Sequence, residues 1–293
     1  MENKLIVKDI QYNYQNTKIL NNISFTCTNG VTAILGNNGA GKTTLMHIMT
    51  MLKTPLSGDI VLNNESMLNN NSIKDIIGYL PQNFDFYDNV TGYDFLSYIC
   101  DLKKVDKKEK KDHILNIVET FNLNNVINKN IGKYSGGYKR RLGIAQAIIG
   151  NPQIVIIDEP TVGLDPEQRL EFRQYLSKIG KDKIVLISTH IIEDIELCGD
   201  KIIFIKNGTI AFAGSVNEAI SKTTGKIFSA EIPTKDLAFV REKIHIIEEK
   251  RINESQIKIK FINNNTNNFD FENSILETEV SLENAYVYFQ QEL

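Results

Sequence analysis

The chain has 293 residues, of which 42% are hydrophobic and 24% are charged. This is the composition of a globular protein with one large or two average domains, and it excludes collagen, coiled-coil fibres and wholly disordered chains. The 33 lysine and arginine residues and the 36 acidic residues give a net charge of -3. Because the overall positive field of a dedicated nucleic-acid-binding protein is missing, we expect no nucleic-acid partner.

Neither a membrane span nor a secretion signal is predicted. The longest apolar runs are far shorter than the roughly 20 residues that cross a bilayer, and the charged first residues do not resemble a signal peptide. The three cysteines, Cys27, Cys100 and Cys198, lie far apart and form no CxxC pair. We therefore expect a cytosolic chain without a disulfide framework or a zinc site.

The first part of the chain alternates predicted strands and helices. Residues 32–35 predict a short buried strand, which a glycine-rich loop connects to a predicted helix over residues 43–51. Asp106 and Glu109 resemble a capping box at the start of another helix. The apolar face of that helix is formed by Ile114, Ile117, Val118 and Phe121.

Two further apolar runs, residues 154–157 and 183–188, are each followed by a helical stretch. Such runs are typical of parallel strands that are buried on both faces, so we predict an α/β fold. The pattern changes after Gly214. Ile257, Ile259 and Phe261 alternate with two lysines, which predicts a half-buried strand, and residues 263–268 form an asparagine-rich loop.

A final helix is predicted after Ser281, and its apolar stripe comprises Leu282, Ala285, Tyr286 and Phe289. We place a domain boundary near residue 215. The prediction is thus an α/β domain over residues 1–214 and a small α+β accessory domain over residues 215–293. No internal repeat is visible, which argues against two copies of one catalytic unit.

The strongest motif is Gly-Asn-Asn-Gly-Ala-Gly-Lys-Thr at residues 36–43, which fits the phosphate-loop pattern GxxxxGK[ST] between a predicted strand and a predicted helix. Glycines allow the backbone to wrap a phosphate chain with its N–H groups. We expect Lys42 to reach the β- and γ-phosphates of ATP and Thr43 to bind Mg²⁺. The expected nucleotide-binding residues are Gly36, Asn37, Asn38, Gly39, Ala40, Gly41, Lys42, Thr43 and Thr44.

Residues 134–138 read Tyr-Ser-Gly-Gly-Tyr and precede Lys-Arg-Arg-Leu, and the apolar run 154–157 ends in Asp158-Glu159-Pro160. With these motifs the chain resembles the ATP-binding cassette (ABC) ATPases, the nucleotide-binding subunits of ABC transporters, over roughly residues 1–214. The resemblance implies a P-loop ABC-type nucleotide-binding domain with a helical subdomain. Further family motifs are matched by Gln82 (Q-loop), Gly163-Leu164-Asp165-Pro166 (D-loop) and His190 (switch histidine).

Each matched residue has an expected chemical role. Asp158 follows a predicted strand and would bind Mg²⁺ directly or through water. Glu159 would accept a proton from the water that attacks the γ-phosphate, or orient that water. His190 would hydrogen-bond the γ-phosphate and the water, and Gln82 would offer its amide oxygen to the metal or the water. Together with Lys42, these last three residues form the expected catalytic set.

Other residues are expected at an interface between two subunits. Ser135, Gly136 and Gly137 begin a predicted helix and form a second anion-binding element. The resemblance implies that Ser135 and Gly137 contact ATP held by a second nucleotide-binding subunit, with Asp165 near the shared interface. Tyr14 resembles the aromatic residue that stacks on adenine, and Tyr12 is the alternative.

The signature departs from the commonest family pattern, because Tyr134 and Tyr138 stand where Leu and Gln are usual. A tyrosine followed by Lys-Arg-Arg-Leu resembles bacterial drug- and peptide-exporter ATPases. An aromatic cluster, Phe84, Phe86 and Tyr87, lies in the region that meets the membrane subunit in this family. Packing inside the helical subdomain is an equal alternative for these rings.

We therefore expect an ATPase that powers a separate integral membrane permease at the cytoplasmic face of the cell membrane and exports a drug, antimicrobial peptide or lipid-like compound. The alternative is a soluble ABC-type ATPase that acts on ribosomes or DNA without a permease. Tandem cassettes or a long coiled-coil insertion would be typical of that alternative, and the sequence has neither. The intact Lys42, Asp158, Glu159 and His190 argue against a catalytically silent subunit.

Overall fold

A computed structural model describes residues 2–68, 73–161, 164–196, 201–262 and 274–291. It divides into two compact units, Met1–Ala213 and Gly214–Leu293. Gly163 of the predicted D-loop, Cys198 and the asparagine-rich residues 263–268 lie outside the described residues. Each unit has its own hydrophobic core.

The larger unit contains two β-sheets. Its strands, in chain order, are β1 (Lys4–Tyr14), β2 (Thr17–Thr28), β3 (Gly30–Leu35), β4 (Ser57–Leu62), β5 (Glu65–Ser66), β6 (Ile77–Leu80), β7 (Ile154–Asp158), β8 (Ile184–Thr189), β9 (Lys201–Lys206) and β10 (Thr209–Gly214). The six-stranded sheet has the order β10-β9-β3-β8-β7-β6, and the four-stranded sheet has the order β2-β1-β4-β5.

The central strands of the six-stranded sheet are parallel. Strand β3 pairs in parallel with β8 and β9, and β7 pairs in parallel with β6 and β8. All residues of β7 and β8 are buried, as predicted from their apolar runs. Leu35 is in register with Thr189, and Asp158 is in register with Ser188. The carboxyl ends of these three strands therefore meet at one edge of the sheet, where ligands bind in α/β folds.

The helices of the larger unit are α1 (Lys42–Met49), α2 (Ile73–Ile76), α3 (Gly92–Leu102), α4 (Lys110–Thr120), α5 (Gly136–Ile148), α6 (Pro166–Gly180) and α7 (Glu193–Glu196). A short 3-10 turn covers Ile131–Lys133. One core of buried side chains joins the antiparallel sheet, α1 and the parallel strands. This packing fixes α1 at the end of β3.

The predicted start of α4 is wrong. The helix begins at Lys110, because the Asp106 carboxylate accepts a hydrogen bond of 2.8 Å from the Lys108 N–H and closes a turn before the helix. The predicted apolar face is confirmed. Ile114, Ile117, Val118 and the following Phe121 are all buried.

The smaller unit is an α+β fold, as expected. It contains β11 (Ile227–Pro233), β12 (His245–Arg251), β13 (Gln256–Ile262), β14 (Ile275–Leu276), α8 (Val216–Thr223), α9 (Leu237–Lys243), α10 (Leu282–Phe289) and a 3-10 turn over Thr234–Asp236. Its antiparallel sheet has the order β12-β13-β11-β14. Ile257, Ile259 and Phe261 are buried, as the alternation predicts.

Helix α10 starts at the predicted residue. Ser281 is its N-cap and forms a capping box with Asn284. The buried stripe differs from the prediction, because Tyr288 is buried whereas Tyr286 is half-buried. None of the helices in the described part of the chain is long and apolar enough to cross a membrane.

Candidate nucleotide-binding site

The phosphate loop connects β3 to α1 at the shared edge of the parallel strands. Gly41 is the N-cap of α1 with φ 104°, and no side chain caps this helix start. The first N–H groups of α1 are thus left for an external acceptor. A Cβ atom on Gly41 would lie 2.7 Å from Leu20 Cδ2, and one on Gly36 would lie 2.5 Å from the Ile205 carbonyl oxygen. Both positions therefore require glycine.

A cavity of about 410 Å³ opens over this loop. The structure brings eight of the predicted site residues to its wall, together with Ile19. The predicted ones are Asn38, Gly39, Gly41, Lys42, Thr43, Thr44, Gln82 and Glu159.

Lys42 is buried at the floor of the cavity. Its ammonium donates to the carbonyl oxygens of Gly36 at 2.6 Å and Asn37 at 3.4 Å. Its Nζ also lies 3.7 Å from Glu159 Oε1, and both side chains are almost inaccessible to solvent. The loop itself thus holds the cation beside the carboxylate that follows β7.

Asp158, the last residue of β7, is completely buried. Its Oδ1 accepts a hydrogen bond from the Ser188 hydroxyl, and its Oδ2 has no hydrogen-bond partner among the described residues. A buried, unpaired carboxylate oxygen is costly, and a cation ligand would satisfy it. The described residues contain no group of three His, Cys, Asp or Glu side chains that could hold a metal ion. Mg²⁺ would therefore fit here only with further oxygen ligands, such as hydroxyl, amide and phosphate oxygens.

Glu159 adopts a left-handed backbone conformation, with φ 48°. Its N–H donates to the Ser188 carbonyl at 3.1 Å and the Ser188 hydroxyl at 3.0 Å. His190 Nδ1 donates to Glu159 Oε2 at 2.8 Å, while 48% of the histidine side chain stays exposed. The predicted catalytic residues Lys42, Glu159 and His190 thus form one connected chain of side chains.

Arg140, which belongs to the basic run Lys-Arg-Arg after the signature, was not predicted as a site residue. Its guanidinium donates through Nε to Pro160 O at 2.6 Å, through Nη2 to Glu159 O, and through Nη1 to Gln82 O at 3.5 Å. Burial lowers its pKa to about 10, although the carboxylates of Asp158 and Glu159 act in the opposite direction. A signal was present, because Arg140 shares a helix face with the apolar Ile144 and Ala147.

Ser188 was also not predicted as a site residue, because a single hydroxyl in an apolar strand forms no recognisable motif. Ser135, Gly136, Gly137 and Asp165 are not among the residues that line the cavity wall. Ser135 is the N-cap of α5 and precedes Gly136 and Gly137, and Asp165 is the N-cap of α6 and accepts a hydrogen bond of 2.8 Å from the Gln168 N–H.

The signature and D-loop elements are neighbours of each other. A Cβ atom on Gly137 would lie 2.9 Å from the Gln168 side-chain amide. Ser135, Gly137 and Asp165 are absent from the residues that line the phosphate-loop cavity.

The two candidate adenine-stacking residues differ in exposure. Tyr14, at the end of β1, is 61% exposed, whereas Tyr12 packs against the core of the larger unit. Lys53 Nζ lies 5.1 Å from the centre of the Tyr12 ring and 5.6 Å from that of Tyr14, and it donates to the Tyr12 hydroxyl. Tyr14 therefore has the more accessible ring.

The rings of the aromatic cluster differ in packing and exposure. The rings of Phe84 and Phe86 are 5.3 Å apart, and Phe86 also packs on Phe95 at 5.0 Å. Tyr87 is 82% exposed. Two rings thus pack inside the unit, and one faces outward.

A glycine loop between a parallel strand and a helix, with a buried carboxylate at the end of a neighbouring strand, defines a P-loop nucleoside triphosphatase. Comparisons with known proteins give the family. A family model described as ABC transporter matches residues 20–162. The uncharacterized ABC transporter ATP-binding protein YxlF of Bacillus subtilis is 34% identical over 243 residues, which cover 83% of this chain and 81% of that protein.

The probable multidrug ABC transporter ATP-binding protein YbhF of Escherichia coli is 31% identical over 205 residues, 69% of this chain and 35% of that protein. The dimeric structure of MJ0796, a bacterial ABC transporter cassette, has the same fold, with a TM-score of 0.65, 24% identity, and coverage of 72% of this chain and 98% of that one. The chain belongs to the ATP-binding proteins of the ABC transporter family. It is an ATPase, as predicted.

Proposed function

We propose that the chain hydrolyses ATP to power a separate integral membrane permease and works at the cytoplasmic face of the cell membrane. The observation that supports ATP hydrolysis most directly is the pair of carboxylates at the end of β7. Asp158 keeps one buried oxygen unpaired, and Glu159 holds its carboxylate between Lys42 and His190. A metal ligand beside a proton acceptor, above a phosphate loop, is the arrangement that phosphoryl transfer to water needs.

The site residues divide the work of hydrolysis. Residues 36–44 bind the triphosphate. The Lys42 ammonium leaves the loop carbonyls and contacts phosphate oxygens instead. Thr43, Asp158 and Gln82 would hold Mg²⁺, which would supply positive charge to the phosphates. Glu159 orients the attacking water or accepts its proton, and His190 is positioned by its Nδ1 hydrogen bond to Glu159. Tyr14 stacks on adenine with its exposed ring.

Two nucleotide-binding subunits, identical or different, complete each site. Ser135, Gly136 and Gly137 begin α5 but do not line the cavity of their own chain, and neither does Asp165. A helix start with a serine cap is suited to bind an anion, so these residues are available to the γ-phosphate held by a second subunit. ATP would then stabilise the closed pair, and hydrolysis would remove the bridging contacts.

The permease would bind beside the Q-loop, where Tyr87 exposes its ring. We infer export of a drug, antimicrobial peptide or lipid-like compound, because the Tyr-Ser-Gly-Gly-Tyr signature resembles that of exporter ATPases. Similarity to YbhF, whose name describes a probable multidrug transporter protein, is in line with this. Residues 215–293 would be an accessory domain.

Subunit mixing tests the composite site. Lys42→Ala and Ser135→Ala chains should each be inactive alone, but a mixed dimer restores one intact site. An equal mixture should recover about a quarter of the wild-type ATPase rate if subunits exchange freely. The matched control mixes Lys42→Ala with Glu159→Gln, whose defects belong to the same half of a site, so no activity should return. Equal activity in both mixtures would contradict the composite arrangement.

The permease is tested separately. The tagged full-length chain, purified from membranes in mild detergent, should retain an integral membrane protein in amounts comparable to its own. Recovery of ribosomes or DNA without any membrane protein would instead support the soluble alternative.

A further inference from the structure

The backbone of Glu159 needs external support. A glutamate with φ 48° lies in the left-handed region that residues with a Cβ atom rarely adopt, and such conformations persist only where the surroundings impose them. On one side the Ser188 carbonyl and hydroxyl accept hydrogen bonds from the Glu159 N–H. The other side of the turn is its pair of carbonyl groups, Glu159 O and Pro160 O.

Arg140 binds these two carbonyl groups. It is 8% exposed, and its planar fork donates Nη2 to Glu159 O and Nε to Pro160 O, so two successive carbonyls are held by one rigid group. A guanidinium can do this because its donors are fixed in one plane, whereas a lysine ammonium is a single point. The face of Phe84 covers the group, with its ring centre 5.4 Å from Cζ.

The third donor of Arg140 reaches a different segment. Its Nη1 lies 3.5 Å from Gln82 O, so one side chain of α5 touches both the turn that carries Glu159 and the segment that carries Gln82. We propose that Arg140 is a positioning residue for hydrolysis. It fixes the left-handed turn that orients the Glu159 carboxylate, and it connects this turn to the segment that carries Gln82. This inference rests on the proposed function only in taking Glu159 to act on the attacking water.

The test is Arg140→Lys, which keeps the positive charge near both carboxylates but cannot bridge the carbonyls. We expect kcat to fall about tenfold to a hundredfold, because a small misplacement of a reacting group has effects of this size. The ATP dissociation constant should change less than about twofold, since the phosphate loop is untouched. Arg141→Lys is the matched control. It is adjacent on the same helix and can keep its ion pair with Glu171, so it should leave kcat within about twofold of wild type.

A second measurement separates positioning from general damage. If Arg140 acts through Glu159, adding Arg140→Lys to Glu159→Gln should lower the residual single-turnover rate by less than about twofold. Multiplied losses, a wild-type kcat for Arg140→Lys, or parallel loss of ATP binding would each overturn the proposal. Should the lysine variant fail to fold, Arg140→Gln serves the same tests, because its shorter side chain has a single donor nitrogen and cannot bridge the two carbonyls.

The roles of Glu159 and Arg140 can be tested independently. A wild-type rate in Glu159→Gln alone would contradict the assigned role of Glu159. An inactive Glu159→Gln beside a fully active Arg140→Lys would contradict only the role of Arg140.

Discussion

Replacing Ser188 by alanine should loosen the end of β7, because this one buried hydroxyl serves both residues of the carboxylate pair. It donates to Asp158 Oδ1 and accepts from the Glu159 N–H. In the alanine variant the N–H keeps the Ser188 carbonyl at 3.1 Å, but Asp158 loses its hydroxyl donor while its second oxygen is already unpaired. Loss of one hydrogen bond to a charged group costs about 1.5–3 kcal/mol. We expect about 2 kcal/mol, which is roughly a thirtyfold change in a local opening equilibrium.

Hydrogen exchange followed by mass spectrometry measures this opening. The peptide covering residues 154–161 should exchange about thirtyfold faster in Ser188→Ala than in the wild type. Ser229→Ala is the matched control, because Ser229 is a buried serine of β11 that hydrogen-bonds the Glu277 carboxylate. It should accelerate exchange in β11 and leave residues 154–161 unchanged. Exchange within about threefold of wild type in Ser188→Ala would refute the reasoning.

Three other variants or labelling experiments test the site and the core. Gly41→Ala should weaken binding of a fluorescent ATP analogue more than Gly39→Ala. A Cβ atom at residue 41 would lie 2.7 Å from a buried leucine, whereas a Cβ atom at residue 39 meets nothing within 4 Å. Equal affinities of the two variants would count against this reasoning. Tyr14→Ala should cost about 1–3 kcal/mol of ATP binding, and Tyr12→Phe, which keeps the packed ring, should cost none. Unchanged ATP affinity of Tyr14→Ala in calorimetric titration would contradict stacking by Tyr14. Cys27 should not react with iodoacetamide at pH ~8 until the chain unfolds, because burial raises its pKa to about 11. Labelling of the folded chain would contradict this burial.

Sequence was sufficient where a feature is local or periodic. Strand β7 could be predicted because burial on both faces leaves an unbroken apolar run, Ile154–Ile157, with nothing polar before Asp158. The phosphate loop could be predicted because all of its residues are contiguous. The start of α4 could not, because Asp106 has two local uses for its carboxylate, and capping competes with a turn that bonds the Lys108 N–H.

The roles of Arg140 and Ser188 could not be predicted for a different reason. Arg140 lies 58 positions from Gln82 and 19 from Glu159 along the chain, and it binds both through backbone carbonyls. Every residue type offers a carbonyl, so such a contact leaves no pattern in the partner's sequence. Helical periodicity places the Arg140 guanidinium on a buried face, but only the fold shows which carbonyls it meets.

The position of Lys42 links nucleotide binding to the freedom of Glu159. The ammonium lies 3.7 Å from the Glu159 carboxylate and donates a hydrogen bond to the Gly36 carbonyl. A triphosphate in the loop offers the same ammonium several anionic oxygens, which compete with a single carboxylate at similar distance. We expect Lys42 to move toward the phosphates, which would leave Glu159 with its His190 hydrogen bond and one oxygen free for water. With the proposed roles, one ammonium would then serve both groups: it contacts the Glu159 carboxylate at 3.7 Å and would transfer its charge to the phosphates when ATP binds.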